Sequence, residues 1–485
     1  MRFFNRLFQP AEEQRLTSWL FIKLLALIYF AAFASLAVQI TGLVGPQGIL
    51  PLSGQLEGAY EELGRGAWLW LPTIFWLIEP TSAALQGATL LGAILALVLL
   101  ITLRWQRVVL VGLFILYLSL YHAGQIFTNF QWDALLLEAG FLAIFLVDGP
   151  IGLVIFLYEW LLFRLRFMSG FFKLMSGDPS WSGFSALNYY FETQPLPHFG
   201  AWYFHQLPEW MLKGGVGLTF FGELIVPFFI FLPRPYRLFA AGLTIVLQLL
   251  IIASSNHNFI NLLTIVLCLF LLDDRIVGRL LPAKLRQRLL STRSSVSRTN
   301  SGLVGLAALL IVPASLIGFI AITLREPLPL PFHQFADSVR RFGIGNIYHI
   351  FPTMQVERQE LIVEGSNDGE EWQAYQLKYT PSVLDRPPQF IVPHQPRLDW
   401  MVWFVPPQQL PQMVWFGEFL HRLHEGSTSV IGLLEKNPFP DAPPNYLRVL
   451  VYRYHFTTAD ERAENGSWWR REYLGQFPQI KPRKP

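Results

Sequence analysis

The sequence predicts an α-helical, multi-pass membrane bundle (1–324) followed by a β-rich exported domain (325–485) with a sandwich-like fold. The chain of 485 residues is 52% hydrophobic and 15% charged, whereas an average soluble domain has roughly 25% charged residues. Its apolar residues fall in blocks of about 20, the length of a membrane-crossing helix. After residue 324 the pattern changes to short apolar alternations among Pro, Trp and charged residues, which is typical of strands.

About nine apolar blocks are predicted to cross the membrane. They are 18–40, 83–103, 108–126, 132–147, 150–168, 212–233, 236–255, 258–272 and 302–324. The block 67–78 is too short for a hydrocarbon core roughly 30 Å thick, so it is predicted to be interfacial or re-entrant. The first block is interpreted as a retained helix, because it is long and further blocks follow it.

The distribution of Lys and Arg predicts the orientation. Basic residues concentrate in the segments 1–17, 104–107, 234–237 and 273–301, which the positive-inside rule assigns to the cytoplasm. The N-terminus is then cytoplasmic, and the loop 170–210 and the domain 325–485 are periplasmic or lumenal. A bacterial inner membrane is favoured, and the endoplasmic reticulum is the expected location in a eukaryote.

Composition also excludes several classes of function. The net charge is +3 from 37 basic and 34 acidic residues, which argues against a nucleic-acid partner. Cys268 is the only cysteine, so an internal disulfide and CxxC chemistry are excluded. The chain has no GxSxG, Walker, HExxH or GxGxxG motif, and no cofactor is expected.

In the region 325–485, the segments 360–364 and 372–379 read as a hairpin with its turn at Asp368 and Gly369. Tyr446–Phe456 reads as a further strand, and 408–424 reads as a helix with apolar residues at core spacing. In the run PHQPRLDW, Arg397 and Asp399 stand beside Trp400. Charges among such rings are costly unless they are paired, so an ion-pair network against the domain core or the loop is predicted.

The loop 170–210 separates two groups of apolar blocks and carries charged residues among many aromatic rings. Lys173 lies between apolar neighbours, where it would act either as a base or as an interfacial lysine that snorkels to lipid headgroups or pairs with Asp178. Glu192 would be an acid/base group, a cation ligand, or a carboxylate bound to Lys173 or Arg166; a structural ion pair or a helix cap is favoured. Further candidate contacts to a client protein or within the loop are Asn188, Tyr189, Tyr190, Phe191, Thr193, Gln194, His198, Trp202 and His205.

A polar pocket beneath this loop is a second hypothesis. Glu223 lies inside an apolar block, so its carboxylate should face the bundle interior or a wet cavity. Asn256 and His257 interrupt two blocks and would point into the same pocket, although separate helix-packing contacts would also account for them. No metal is expected, because His198 and His205 lie seven positions apart without an evident third ligand.

Several runs of the chain resemble the lipase maturation factor family. They are FPTMQVERQELIVEGSNDGEEW (351–372), PHQPRLDWMVWF (393–404), LLEKNPFPDAPPNYLRVLVYRYHFT (433–457), GSWWRREYLG (466–475) and NYYFETQPLP (188–197). In that family, membrane proteins of the endoplasmic reticulum help homodimeric lipases to fold and leave in active form. The resemblance implies an exported protein client, possibly a lipase, with membrane lipids as the other partners.

The membrane core is also similar to vitamin-K-dependent γ-glutamyl carboxylases, in the runs GFFKLMSGDPSWSGFSALNYY (170–190) and IASSNHNFINLLTIVL (252–267). This similarity implies Lys173 as a base acting on a quinol.

The more extensive resemblance, to lipase maturation factors, gives the favoured hypothesis: a membrane-embedded folding or maturation factor, which is not an enzyme. The alternative is a carboxylase-like membrane enzyme acting on a lipid, quinone or peptide, with Lys173 as base and Glu192 as a further catalytic group.

Overall fold

The computed structural model of the protein describes residues 7–147, 149–291, 298–326 and 328–478. Within them, nine main helices form the bundle. They are α1 (Arg15–Ala37), α2 (Ser82–Ile101), α3 (Gln106–Ala123), α4 (Gln131–Ala143), α5 (Gly152–Met175), α6 (Glu209–Phe220), α7 (Arg234–Ser254), α8 (Ile260–Leu267) and α9 (Arg298–Leu324). Shorter helices and turns connect them: Glu12–Gln14, Ile40–Val44, Leu52–Leu63, Gly64–Gly66, Ala67–Trp70, Ile74–Trp76, Gln125–Phe127, Pro179–Ser182, Ala186–Thr193, Phe199–His205, Phe221–Ile225, Val226–Phe231, Cys268–Leu271, Asp274–Leu280 and Ala283–Ser291.

Six segments of the described chain are long and apolar enough to cross a membrane, so the count of nine is not confirmed by length and composition. They are Glu12–Ala37, Ser82–Ile101, Gln106–Ala123, Glu209–Phe231, Arg234–Ser254 and Arg298–Leu324. The other three predicted blocks differ for physical reasons. Helix α4 has 13 residues and buries two carboxylates, α5 carries four charged side chains, and α8 with its extension ends at Leu271.

The charges inside α4 and α5 are paired within the protein. Arg164 of α5 forms a salt bridge with Glu138 of α4, and both side chains are fully buried. Arg164 also donates to the carbonyl of Asn346 at 2.8 Å, and the Tyr348 hydroxyl donates to Glu138 at 3.0 Å. The segment that follows α9 therefore completes a buried network between two bundle helices.

The helix ends gather into two groups. At the basic end, the amide of Arg15 donates to Asp274 at 2.9 Å and the guanidinium of Arg107 donates to the carbonyl of Val147 at 3.0 Å. At the loop end, the amide side chain of Gln39 donates to the carbonyl of Gln395 at 2.7 Å. The loop 170–210 and the C-terminal region both lie at this second end.

Among the described residues of the C-terminal region there is one antiparallel sheet, and the predicted sandwich is not confirmed. Its strands are β1 (Arg358–Ser366), β2 (Gln373–Ala374), β3 (Tyr446–Phe456) and β4 (Trp469–Phe477), in the order β2-β1-β3-β4. The predicted hairpin is present, although its second strand has only two residues. The helices of this region are Leu330–Arg340, Arg397–Val402, Leu410–His424, Thr428–Ile431 and Ala459–Asn465.

Helices and the loop take the place of a second sheet. Three consecutive β1 residues, Leu361, Ile362 and Val363, are buried, so both faces of the sheet are covered. Phe416 and Phe419 of the helix Leu410–His424 belong to the same apolar core as β1 and β3, and this core continues into the bundle. The division at residues 324 and 325 therefore stays a prediction.

Candidate functional site

The last turn of α5 places Lys173 in a buried contact with α6. A π-helical turn, Phe221–Ile225, extends α6 and carries Glu223, whose carboxylate lies 2.8 Å from the Lys173 ammonium. Lys173 also donates to the carbonyls of Ile350 at 2.9 Å and Ser169 at 3.3 Å. Glu223 thus replaces Asp178, the partner proposed for the interfacial alternative, because Asp178 instead caps a short helix and accepts from Met354.

These groups line a small cavity, here named the polar cavity. It measures about 100 Å³ and is lined by Leu165, Arg166, Lys173, Trp181, Leu187, Tyr190, Thr219, Glu223, Gln248, Ile251, His257, Ile260, Asn261, Thr264, Ile350 and Phe351. Of the pocket residues predicted from sequence, Glu223 and His257 reach it. Asn256 does not line it; its side chain instead bonds the backbone of Gln389 at 2.8 Å and of Ile391 at 3.1 Å.

The loop closes this cavity through Tyr190. Its hydroxyl lies 2.6 Å from Nε2 of His257 and 2.8 Å from Oγ of Ser255. The hydrogen bonds therefore join the loop to the chain between α7 and α8 at the wall of the cavity.

A second, larger cavity adjoins the first and is named the aromatic cavity. It measures about 380 Å³ and is lined by Asn129, Phe130, Gln131, Trp132, His257, Ile260, His349, Ile350, Phe351, Pro352, Thr353, Trp400, Trp403 and Phe404. His257, Ile260, Ile350 and Phe351 line both cavities. The backbone of Phe351, at this shared wall, has φ of 48°, a conformation that costs energy in any residue except glycine.

Glu192 lies away from Lys173 and Arg166, so the predicted pairing of its carboxylate with one of them is not found among the described residues. Its carboxylate accepts from the Phe456 amide at 2.7 Å and lies 3.0 Å from Nδ1 of His455. His205 stands 3.8 Å away on the other side, and burial lowers the pKa of that imidazole. Glu192 thus joins the loop to the end of β3.

Other loop residues anchor the loop to the C-terminal region or the bundle. Trp202 donates to the carbonyl of Thr457 at 2.8 Å. Gln194 donates to the carbonyl of Ser254 at 2.9 Å, and the His198 imidazole lies 3.0 Å from the carbonyl oxygen of Ile252. The hydroxyl of Thr193 donates to the Tyr189 carbonyl within its own helix at 2.9 Å, and half-buried Asn188 has an amide oxygen without a partner.

The rings of the loop therefore divide into two sets. Phe191 and Trp202 are buried against Tyr454, Phe456 and Trp469 of the sheet, so they hold the loop in place. The large rings that the loop exposes are Phe184, Phe199, Tyr203 and Trp210. Of the aromatic residues predicted from sequence, Phe191 and Trp202 belong to the buried set, and Tyr189 and Tyr190 are half-buried.

Arg397 and Asp399 are both buried, with different partners. Arg397 pairs with Asp133 of α4 through two contacts of 2.6 and 2.8 Å, and the Tyr117 hydroxyl donates to the same carboxylate at 2.6 Å. Asp399 forms no ion pair among the described residues and accepts from the Tyr379 amide at 2.7 Å. Trp400 packs edge-on against Trp132, with 5.1 Å between the ring centroids, and lines the aromatic cavity.

Arg358 is a structural residue that the sequence analysis missed. Its fully buried guanidinium donates to the loop carbonyls of Glu192, Gln194 and Pro195 and pairs with Glu360. Its position at the start of an apolar strand is the feature of the sequence that could have indicated a buried arginine. Within the described parts of the chain, no three His, Cys, Asp or Glu side chains stand close enough to hold a metal ion.

Comparison with known proteins assigns the family. Residues 16–279 match the model of the lipase maturation factor transmembrane domain, and residues 344–479 match that of the lipase maturation factor C-terminal domain. Lipase maturation factor 2 of Xenopus laevis is 34% identical over 96% of this chain and 82% of its own length, and that of Homo sapiens is 33% identical over the same shares.

Lipase maturation factor 1 of Bos taurus is 31% identical over 97% of this chain and 90% of its own length. No solved structure matches the chain at a significant level. The two family domains together cover helices α1 to α8 of the bundle and the sheet described above, and α9 lies between them. The chain is an integral, multi-pass membrane protein that belongs to the lipase maturation factor family.

Proposed function

We propose that the protein is a membrane-embedded maturation factor that holds a lipase during folding, through the loop 170–210 and the sheet beside it. The relatives are named for lipase maturation. Loop and sheet form one body through Glu192, Arg358 and Trp202. A rigid, partly apolar surface suits the transient binding of a client that has not yet buried its own apolar residues.

The exposed rings of the loop carry this proposal. Phe199, Tyr203 and Trp210 are 47%, 54% and 73% exposed, although burying such rings would be favourable. Large aromatic side chains are the residues that dominate protein interfaces. They support a contact surface for a protein client at the loop end of the molecule.

The alternative of a membrane enzyme rests on the polar cavity and Lys173. An ammonium group has three donors and no acceptor, and Lys173 has a partner for each of them. Accepting a proton would first require Lys173 to release one, which would leave Glu223 without its closest cation. This arrangement favours a structural role for Lys173.

Co-expression with a homodimeric lipase tests the two functions against each other. In a client-holding protein, the double substitution Phe199→Ala and Tyr203→Ala should lower the active fraction of secreted lipase severalfold. A folded Lys173→Gln variant should preserve it, because Arg166 still pairs with Glu223. Tyr236→Ala removes a ring of similar exposure at the basic end and serves as the matched control. A folded, membrane-inserted Lys173→Gln variant without activity would favour the enzyme instead.

We also propose that the chain crosses the membrane nine times, with a cytoplasmic N-terminus and the loop and sheet on the other side. The contacts between helix ends support this, because α4, α5 and α8 each run between the two groups of ends. The basic residues at one end agree with a cytoplasmic position. The loop and sheet would then bind the client in the periplasm or lumen.

A further inference from the structure

The polar cavity has an excess of positive charge. Arg166, Lys173 and Glu223 are its lining residues with a formal charge, which gives two positive charges against one negative. Glu223 contacts both cations, Lys173 at 2.8 Å and Arg166 at 3.5 Å. One carboxylate therefore pairs with two buried cations, so the three side chains together carry a net charge of +1.

Two buried donors that belong to cavity-lining side chains have no hydrogen-bond partner among the residues that the structure describes. They are Nε of Arg166 and Nδ2 of Asn261, and the two residues are 5% and 4% exposed. A buried donor without an acceptor is unfavourable, and more so when it is charged. Such donors beside an excess positive charge are what a small anion requires.

Much of the remaining lining is apolar, and four of the lining residues are shared with the aromatic cavity. Leu165, Leu187, Ile251 and Ile260 line the polar cavity, and the adjoining aromatic cavity is nearly four times larger, about 380 against 100 Å³. A ligand that fits both would have a small anionic head and a long apolar chain. Mostly apolar walls with a few fixed polar groups are typical of small-molecule sites.

We propose that these two cavities bind a long-chain fatty acid, with its carboxylate at Arg166 and Asn261 and its alkyl chain along the aromatic cavity. A single carboxylate balances the single excess charge. The polar cavity has room for a few water-sized groups, which fits a carboxylate better than the larger head of a phospholipid. This ligand site goes beyond the maturation function and does not depend on it.

Binding of radiolabelled palmitate to the full-length protein in phosphatidylcholine nanodiscs tests the proposal, with empty nanodiscs as the background. Unlabelled palmitate should displace the label, whereas methyl palmitate, which has the same chain without the charge, should be at least about tenfold weaker. Equal displacement by the two compounds would overturn the proposal. Stronger displacement by lysophosphatidic acid would overturn it in favour of a phosphate-headed lipid.

Two substitutions test the head-group contacts. Arg166→Gln removes the excess charge and leaves the Lys173–Glu223 pair in place, and Asn261→Asp adds a negative charge at nearly constant volume. Each should weaken palmitate binding about tenfold or more. Lys213→Gln removes an exposed charge of α6 that pairs with Glu209 and should leave binding unchanged. Wild-type affinity in a folded Arg166→Gln variant would refute the site.

Discussion

At the scale of single residues, the side chains most important for stability are charged groups that are buried away from solvent. Arg397 and Asp133 are each 1% exposed and lie 264 positions apart in the chain. Tyr117 and the carbonyl of Phe127 complete their hydrogen bonding. Taking one member away leaves the other as an unpaired buried charge, which is far more costly than the loss of a surface pair.

We therefore expect Arg397→Met to lower the free energy of unfolding by about 3–5 kcal/mol. Thermal unfolding of the purified protein in detergent measures the effect. Arg422→Met is the matched control, because its partner Glu425 is exposed and surface pairs contribute roughly 0–1 kcal/mol. A melting temperature equal to that of the wild type would contradict the role given to the buried pair.

Asp399 gives a prediction about pH. Burial raises the pKa of its carboxyl to about 6 from 3.8, so the folded protein holds this proton at pH values where the unfolded chain has lost it. The contribution of Asp399 to stability is therefore greatest below about pH 4 and decreases as the pH rises toward 6. Asp399→Asn should remove this decrease, and melting temperatures from pH 4 to 7.5 measure it. Parallel pH profiles for the two proteins would contradict the shift.

The sequence predicted the burial of Arg397 but not its partner. Proline and tryptophan neighbours indicate a packed environment, whereas the identity of Asp133 depends on how α4 meets the C-terminal region. Glu192 and Lys173 show the same limit. Both were predicted to lie in polar contacts, and their partners Phe456 and Glu223 come from distant segments that only the fold brings together.

At the scale of elements, the approach of α5 to the extension of α6 determines the polar cavity. Gly170 makes this approach possible, since a Cβ atom at this position would lie 2.7 Å from Cβ of Glu223. The π-helical turn then directs Glu223 toward Lys173. Turns of this kind occur often at functional sites, and no spacing of apolar residues in the sequence indicates one.

Gly170→Ala should therefore destabilise the protein, by about 1–3 kcal/mol for overpacking, and should separate α5 from α6. Gly87→Ala in α2 is the matched control, because a Cβ atom there meets nothing within 4 Å. That substitution should be neutral or slightly stabilising, since alanine is the better helix former. Equal melting temperatures for the two variants would show that the contact has no importance for stability.

The alternating apolar residues of the C-terminal region predict the positions of strands but not how the strands pack. The strand Tyr446–Phe456 was predicted with the bounds that the structure gives. The sandwich is not confirmed, because alternating apolar residues predict that a face of the sheet is covered but do not indicate what covers it. Here the cover is the helix Leu410–His424 on one side and the rings of the loop on the other.

At the scale of the whole molecule, the contacts between loop and sheet constrain the number of crossings. Loop and sheet touch through Glu192 and Trp202, so they lie on one side of the membrane. Three long apolar segments, Glu209–Phe231, Arg234–Ser254 and Arg298–Leu324, lie between them in the chain. Three crossings would put loop and sheet on opposite sides, which supports the fourth crossing of the proposed topology.

The segment Ile260–Leu271 is the candidate for this crossing. As a helix it spans only about 18 Å at 1.5 Å per residue, less than a hydrocarbon core of roughly 30 Å. The chain before it, from Ser255 to Asn258, is buried in protein and not helical. Such backbone is tolerated at membrane depth when protein surrounds it, which allows a short helix to complete the passage.

Labelling of single cysteines by a membrane-impermeant maleimide tests the resulting topology of nine crossings. Because Cys268 is the only cysteine, Cys268→Ala gives a background without thiols for Arg275→Cys and Glu370→Cys. In bacterial spheroplasts we expect Glu370→Cys to react at once and Arg275→Cys to react only after permeabilisation. With a cytoplasmic N-terminus, a chain of six crossings would give the reverse at both positions. That reversed result would refute the crossing by Ile260–Leu271 and, with it, the common side of loop and sheet.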